Sequence, residues 1–97
     1  MNNWERMKAG RLYNADSKDL EKYHSFGMET CDKFNRTPLW MKKRKQRLLE
    51  KMIPSAKDGG AAIFAPFYCE YGVNIHFGKG CFVNYKCTFL DCAPITL

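Results

Sequence analysis

Long apolar runs are missing from this 97-residue chain. None approaches the roughly 18 residues needed to cross a bilayer, and the longest, residues 61–69, is interrupted by Pro66. No membrane partner is therefore expected. An apolar secretory core is also missing from the start, where Glu5, Arg6 and Lys8 occupy the positions it would need, so a cytoplasmic location is expected. CxxC pairs are absent. The five cysteines, Cys31, Cys69, Cys81, Cys87 and Cys92, are odd in number, which argues against a disulfide framework and for reduced thiols. His76 lies near Cys69 and Cys81 in sequence, but without the short paired spacing of structural sites no metal is expected. Acids are sparse in the front: residues 1–57 carry fourteen Lys or Arg against seven Asp or Glu, whereas residues 58–97 carry two against three.

What is present is apolar enough to fold. With 45% hydrophobic and 14% aromatic residues, the chain is not a disordered tail, and its length fits one small domain or an incomplete piece of a larger one. The back half carries a repeat. Tyr71, Phe77, Val83, Phe89 and Ile95 recur every six residues as large apolar side chains, and Ile75, Cys81, Cys87 and Ala93 form an offset register of mostly small ones. A period of six fits a chain that turns a corner after each short strand and stacks coil on coil, with Gly78 placed where the backbone turns tightly. The pattern reads as the first coils of a left-handed parallel β-helix. Because a period of two is contained in six, a small antiparallel sheet is the alternative.

The front half reads as helical. Trp4 and Met7 give residues 4–10 one sticky side. Ser17 is a candidate N-cap, with Asp19 and Glu21 in the first turn, and Leu20, Tyr23, Gly27, Cys31 and Phe34 then share one face. His24, beside that stripe, is expected to be a packing residue rather than a catalytic base. A further helix is expected after Thr37 as cap and Pro38 as first residue, with Met41, Leu48, Leu49, Met52 and Ile53 inward and Pro54 as its stop. The cationic run Lys42–Arg47 is read as a solvated helix face; the alternative is a small basic module that contacts nucleic acid or a protein partner. Residues 55–60, SAKDGG, form the one internal boundary. Pro66 fits a strand only at an edge or corner.

Five collinear segments carry a resemblance: ERMKAGRLYNA at 5–15, CDKFNRTP at 31–38, APFYCEYGVNIHFG at 65–78, FVNYKCTFLD at 82–91 and CAPIT at 92–96. In this order they resemble the maltose and galactoside O-acetyltransferases of the hexapeptide-repeat superfamily. The resemblance implies an α+β chain: a helical N-terminal domain over residues 1–57, then the first, incomplete coils of the β-helix over 58–97. It implies transfer of acetyl from acetyl-coenzyme A to a hydroxyl of maltose, glucose or a galactoside, in a homotrimer with sites between subunits. Nucleic acid is not an expected partner. Asn84 matches the asparagine lining the acceptor pocket, and Glu70 a polar pocket position. Asp91, or its neighbour Cys92, sits where the family has an acidic sugar contact, and Asp16 lies near an acidic pocket residue of the helical front. Phe64 and Ala65 depart from the family's Glu-Pro before Pro66, and Lys86 from its second asparagine. The family's catalytic histidine and its coenzyme-holding coils correspond to sequence beyond Leu97; no catalytic or cofactor-binding residue is expected within the 97, and the chain is expected to be a truncated portion, inactive alone.

Overall fold

Apolar spacing and caps decide the helices. In the computed structural model, which describes residues 1–57 and 60–97, α1 (Asn3–Lys8) is capped by Asn2, whose Oδ1 accepts from the Glu5 N–H at 2.8 Å. α2 (Lys18–Arg36) follows Ser17 and buries Leu20, Gly27, Cys31 and Phe34. Tyr23 departs from the expected stripe: it is half-exposed and stacks on Trp4 with centroids 4.3 Å apart.

α3 (Lys42–Met52) starts later than the sequence suggests. Thr37 closes α2 instead of opening α3, its Oγ1 donating to the Lys33 carbonyl at 2.6 Å, and a turn from Pro38 to Met41 separates the helices. The cationic run is not uniformly solvated. Lys45 turns inward, donates to the Phe34 and Thr37 carbonyls at 2.8 and 3.1 Å, and lies 4.3 Å from the Phe34 ring centroid. Burial lowers its ammonium pKa.

The back half consists of six short strands, β1 (Ala61–Ile63), β2 (Phe67–Cys69), β3 (Ile75–His76), β4 (Cys81–Val83), β5 (Cys87–Phe89) and β6 (Ile95–Thr96). β1 pairs with β4, β2 with β5 and β3 with β6, all parallel. The antiparallel alternative is excluded, and one three-strand coil lies on the next. Ala61 sits on Cys81, Phe67 on Cys87 and Ile75 on Ile95, so each partner lies 20 residues further along. Pro66 falls at the corner between β1 and β2, preceded by a cis peptide bond.

A strict period of six would make that coil 18 residues long. The period holds from β1 to β2 and from β4 to β5, but the third side takes eight, from Phe67 to Ile75 and from Cys87 to Ile95. Ile95 therefore continues the register of Ile75 rather than that of Phe89, and Tyr71 and Ala93 leave the repeat. Tyr71 is buried with Met7 and Leu20 in a second cluster. Left-handed backbone occurs at Gly72 (φ 85°) and Gly80 (φ 71°), not at Gly78.

Helices and coils share one core. Phe67, Ile75, Phe77 and Val83 from the coils pack with Cys31, Phe34, Leu49, Met52 and Ile53 from the helical half. Asp58 and Gly59, within the connection read as a boundary, lie outside the described residues.

The first coil has an edge to protect. β2 and β3 each have one strand partner, and an uncovered edge would leave backbone donors and acceptors unpaired. Two side chains of the helical half close it. Asn35 acts as a substitute strand residue at β2: its Nδ2 donates to the Phe67 carbonyl at 2.9 Å and its Oδ1 accepts from the Phe67 N–H at 2.8 Å. Ser55, in a single 3-10 turn (Pro54–Ala56), donates to the Ile75 carbonyl at 3.0 Å and accepts from the Phe77 N–H at 2.8 Å.

Asn35→Ala leaves both Phe67 backbone groups without their partner, and the expected loss is about 2–3 kcal/mol of unfolding free energy. Urea titration followed by circular dichroism measures it; a loss below about 0.5 kcal/mol would show that the edge does not depend on this bridge.

Candidate functional site

The two extra residues on the third side of each coil build the corners at residues 70–74 and 90–94. These corners carry the site. Asp91 organises the first of them: its Oδ1 accepts from the Tyr71 N–H at 2.8 Å, and its Oδ2 from Gly72 and Asn74 at 2.7 and 3.2 Å. Asn74 Nδ2 returns a bond to the Asp91 carbonyl at 2.8 Å. Burial pushes the Asp91 carboxyl up, while the three N–H donors act in the opposite direction. Asp91 is 0% exposed. Both its oxygens accept from backbone N–H groups, and it holds the neighbouring residues in place.

α2 lies directly on that corner. A Cβ on Gly27 would meet the Glu70 carbonyl at 2.5 Å and Tyr71 Cα at 3.0 Å, so only glycine permits this approach. One turn before Gly27, His24 pairs through Nε2 with the Glu70 carboxylate. His24 packs its ring against Tyr71, with centroids 5.6 Å apart, as expected from its position, and is in addition a polar partner of Glu70.

These elements enclose a cavity of about 490 Å³ whose lining includes Asp16, Glu70, His24, Tyr13, Tyr71 and Cys92. Asp16 and Glu70, far apart in sequence, line it together, as does Cys92. Burial raises the pKa of the Cys92 thiol, with the Glu70 charge adding to the effect; burial and the Cys92 thiol likewise raise that of Tyr13. At neutral pH these two are uncharged hydrogen-bonding groups in a lining that also holds the acidic side chains of Asp16, Glu21 and Glu70. Such a cavity suits a neutral ligand rich in hydroxyl donors, with tyrosine rings offering apolar faces.

Asn84 is elsewhere. It occupies the exposed corner between β4 and β5, where its Oδ1 accepts from the adjacent Tyr85 N–H at 2.8 Å. Lys86 in the same corner has φ 59°, a left-handed conformation in which asparagine is favoured over lysine. Cys31 and Cys69 lie apart from the cavity's chemistry: their sulfurs are 3.6 Å from each other and from Met52 Sδ. The bond to the Cys31 thiol, and then burial, raise the Cys69 pKa, which makes it a poor nucleophile.

Residues 6–57 match the maltose acetyltransferase hexapeptide capping motif. The chain belongs to this family. The matched segment contains Asn35 and Ser55, the two side chains that cover the first coil. The fold is close to that of a maltose O-acetyltransferase from Clostridium difficile, with 29% identity, a TM-score of 0.89, and coverage of 97% of this chain and 50% of that one. A hexapeptide-repeat acetyltransferase from Vibrio cholerae, solved with acetyl coenzyme A, gives a TM-score of 0.77 at 25% identity over 99% of this chain and 51% of that one. The galactoside O-acetyltransferase of Lactococcus lactis is 28% identical over 92 residues, 94% of this chain and 44% of the enzyme. The chain spans about half the length of the curated relatives it matches.

Tyr71 offers a test of the buried corner. Burial pushes its phenol from 10.0 up to about 12. The unfolded chain therefore releases this proton before the folded chain does, and stability is lost as pH rises from about 10 to about 12. Tyr71→Phe cannot ionise and is expected to lose less stability between about pH 9 and about pH 11 than the parent chain, measured by urea midpoints at each pH. Equal losses in the two proteins would place Tyr71 in a solvated environment.

Proposed function

We propose that these 97 residues are the N-terminal portion of an acetyl-CoA-dependent sugar O-acetyltransferase of the maltose or galactoside type. The observation that carries this reading is the cavity between the helical half and the first coil, where Asp16 and Glu70 converge with His24 and Tyr13. The carboxylates accept hydrogen bonds from sugar hydroxyls, and His24 holds Glu70 in position for one of them. Asn84 adds a contact from its exposed corner when a second copy completes the cleft, in keeping with a homotrimer. The strands are the opening coils of a left-handed β-helix, residues 1–57 and 58–97 being its two sequence modules, and the protein works in the cytoplasm.

The reaction joins a sugar oxygen to the acetyl carbon. A base takes the hydroxyl proton as oxygen attacks the thioester carbonyl, the carbon–sulfur bond breaks, and coenzyme A leaves as its thiol after protonation. The histidine that serves as base and the coils that hold acetyl-CoA correspond in the family to sequence beyond Leu97. The 97 residues supply acceptor contacts and do not turn over alone.

Saturation-transfer NMR of the chain with maltose, glucose and a methyl galactoside tests the reading. At least one sugar is expected to bind, and Glu70→Ala or Asp16→Ala to weaken it at least about tenfold, the equivalent of about 1.5 kcal/mol for a hydrogen bond to a charged group. No sugar signal, or a signal indifferent to both substitutions, would contradict the acceptor assignment. Acetyl-sugar formed by the 97-residue chain alone would contradict the division of labour.

A further inference from the structure

A second cavity, of about 520 Å³, opens where α1, α2 and the end of α3 meet the corner at Tyr71. Its lining includes the rings of Trp4, Tyr23, Phe26 and Tyr71 and the side chains of Lys8, Lys22 and Lys51, and among the described residues no carboxylate contributes to it. The rings form an ordered set: Trp4 stacks on Tyr23 with centroids 4.3 Å apart and meets Tyr71 edge-on at 5.0 Å. Two ammonium groups are held over them, Lys8 Nζ at 5.3 Å from the Trp4 centroid and Lys22 Nζ at 5.2 Å from that of Tyr23. Neither makes an ion pair among the described residues. The sugar-acceptor cavity has the opposite character, with carboxylates and an imidazole on its walls.

Three cations from three helices around a floor of aromatic rings suit one class of ligand. We propose that this cavity binds a planar aromatic ring bearing phosphate, as in a nucleotide. The ring packs against the exposed parts of Tyr23 and Phe26, and the phosphate oxygens take charge-assisted hydrogen bonds from lysine ammoniums that form no ion pair among the described residues. Cation–π contact leaves those ammoniums only partly satisfied, so an anion gains the remaining hydrogen bonds without first breaking an ion pair. A free sugar lacks the charge for this site. An inorganic anion lacks the ring. The proposal stands on this cavity alone and does not depend on the acyltransferase reading.

ADP is the probe, titrated into the 97-residue chain carrying Trp40→Phe, so that Trp4, which lines the cavity, is the remaining tryptophan. Saturable quenching of Trp4 fluorescence is expected. Adenosine and pyrophosphate, each holding one half of the recognised chemistry, are expected to bind at least about tenfold more weakly, as are the Lys22→Met and Lys51→Met variants, the loss of one charge-assisted bond. Both lysines are exposed, and circular dichroism confirms that each variant is folded. Absence of saturable quenching by ADP would overturn the proposal. So would adenosine or pyrophosphate binding as tightly as ADP, or both folded lysine variants binding ADP unchanged.

Discussion

The structure depends on covering one strand edge. A coil of parallel strands satisfies its backbone by stacking on the next coil, so the outermost coil has donors and acceptors facing outward, each costly if left unpaired in an apolar setting. β1, β2 and β3 are in that position. Asn35 and Ser55 answer it with four hydrogen bonds, two to Phe67, one to Ile75 and one to Phe77. Both belong to the segment matching the capping motif, which gives that family description a specific meaning in atoms here.

Once α2 is tied to β2 through Asn35, the site follows. The helix must cross the next corner closely enough that Gly27 touches the Glu70 backbone, and this brings His24 to the Glu70 carboxylate. From the other side, Asp91 reaches up from the second coil and fixes the Tyr71–Asn74 backbone with three bonds. Glu70 thus stands between two constraints: a glycine contact behind it and a buried carboxylate beside it. Lining groups come from distant segments because the cap itself forms one wall of the cavity.

Much of this was legible in residue order. Short turning strands, the helical front and the corner at Pro66 all follow from local pattern. The coil length did not. Tyr71 and Ile95 are large, apolar and spaced by multiples of six, so they mimic repeat positions although each third side is eight residues long; only the pairing of Ile75 with Ile95 separates the registers. Asp91 and Cys92 could not be ordered from sequence either, since which of two adjacent residues turns inward depends on the backbone donors waiting below. The His24–Glu70 pair was not legible for a related reason: its members lie 46 positions apart, and a histidine next to an apolar stripe that packs has the same local signature whether or not it also pairs. Thr37 suits either end of a helix, and its hydroxyl bond to Lys33 decides for the end of α2.

The most direct measurement is native-state hydrogen exchange at the Phe67 and Phe77 amides. Their acceptors are side-chain oxygens from the helical half, not neighbouring strands. If the helical front is the cap that completes the coil, both amides should exchange only through the opening that also exposes the amides of the β2–β5 pairing, with the same opening free energy. Exchange at these two positions at the rate of a solvated edge, while the strand pairs stay protected, would contradict the account.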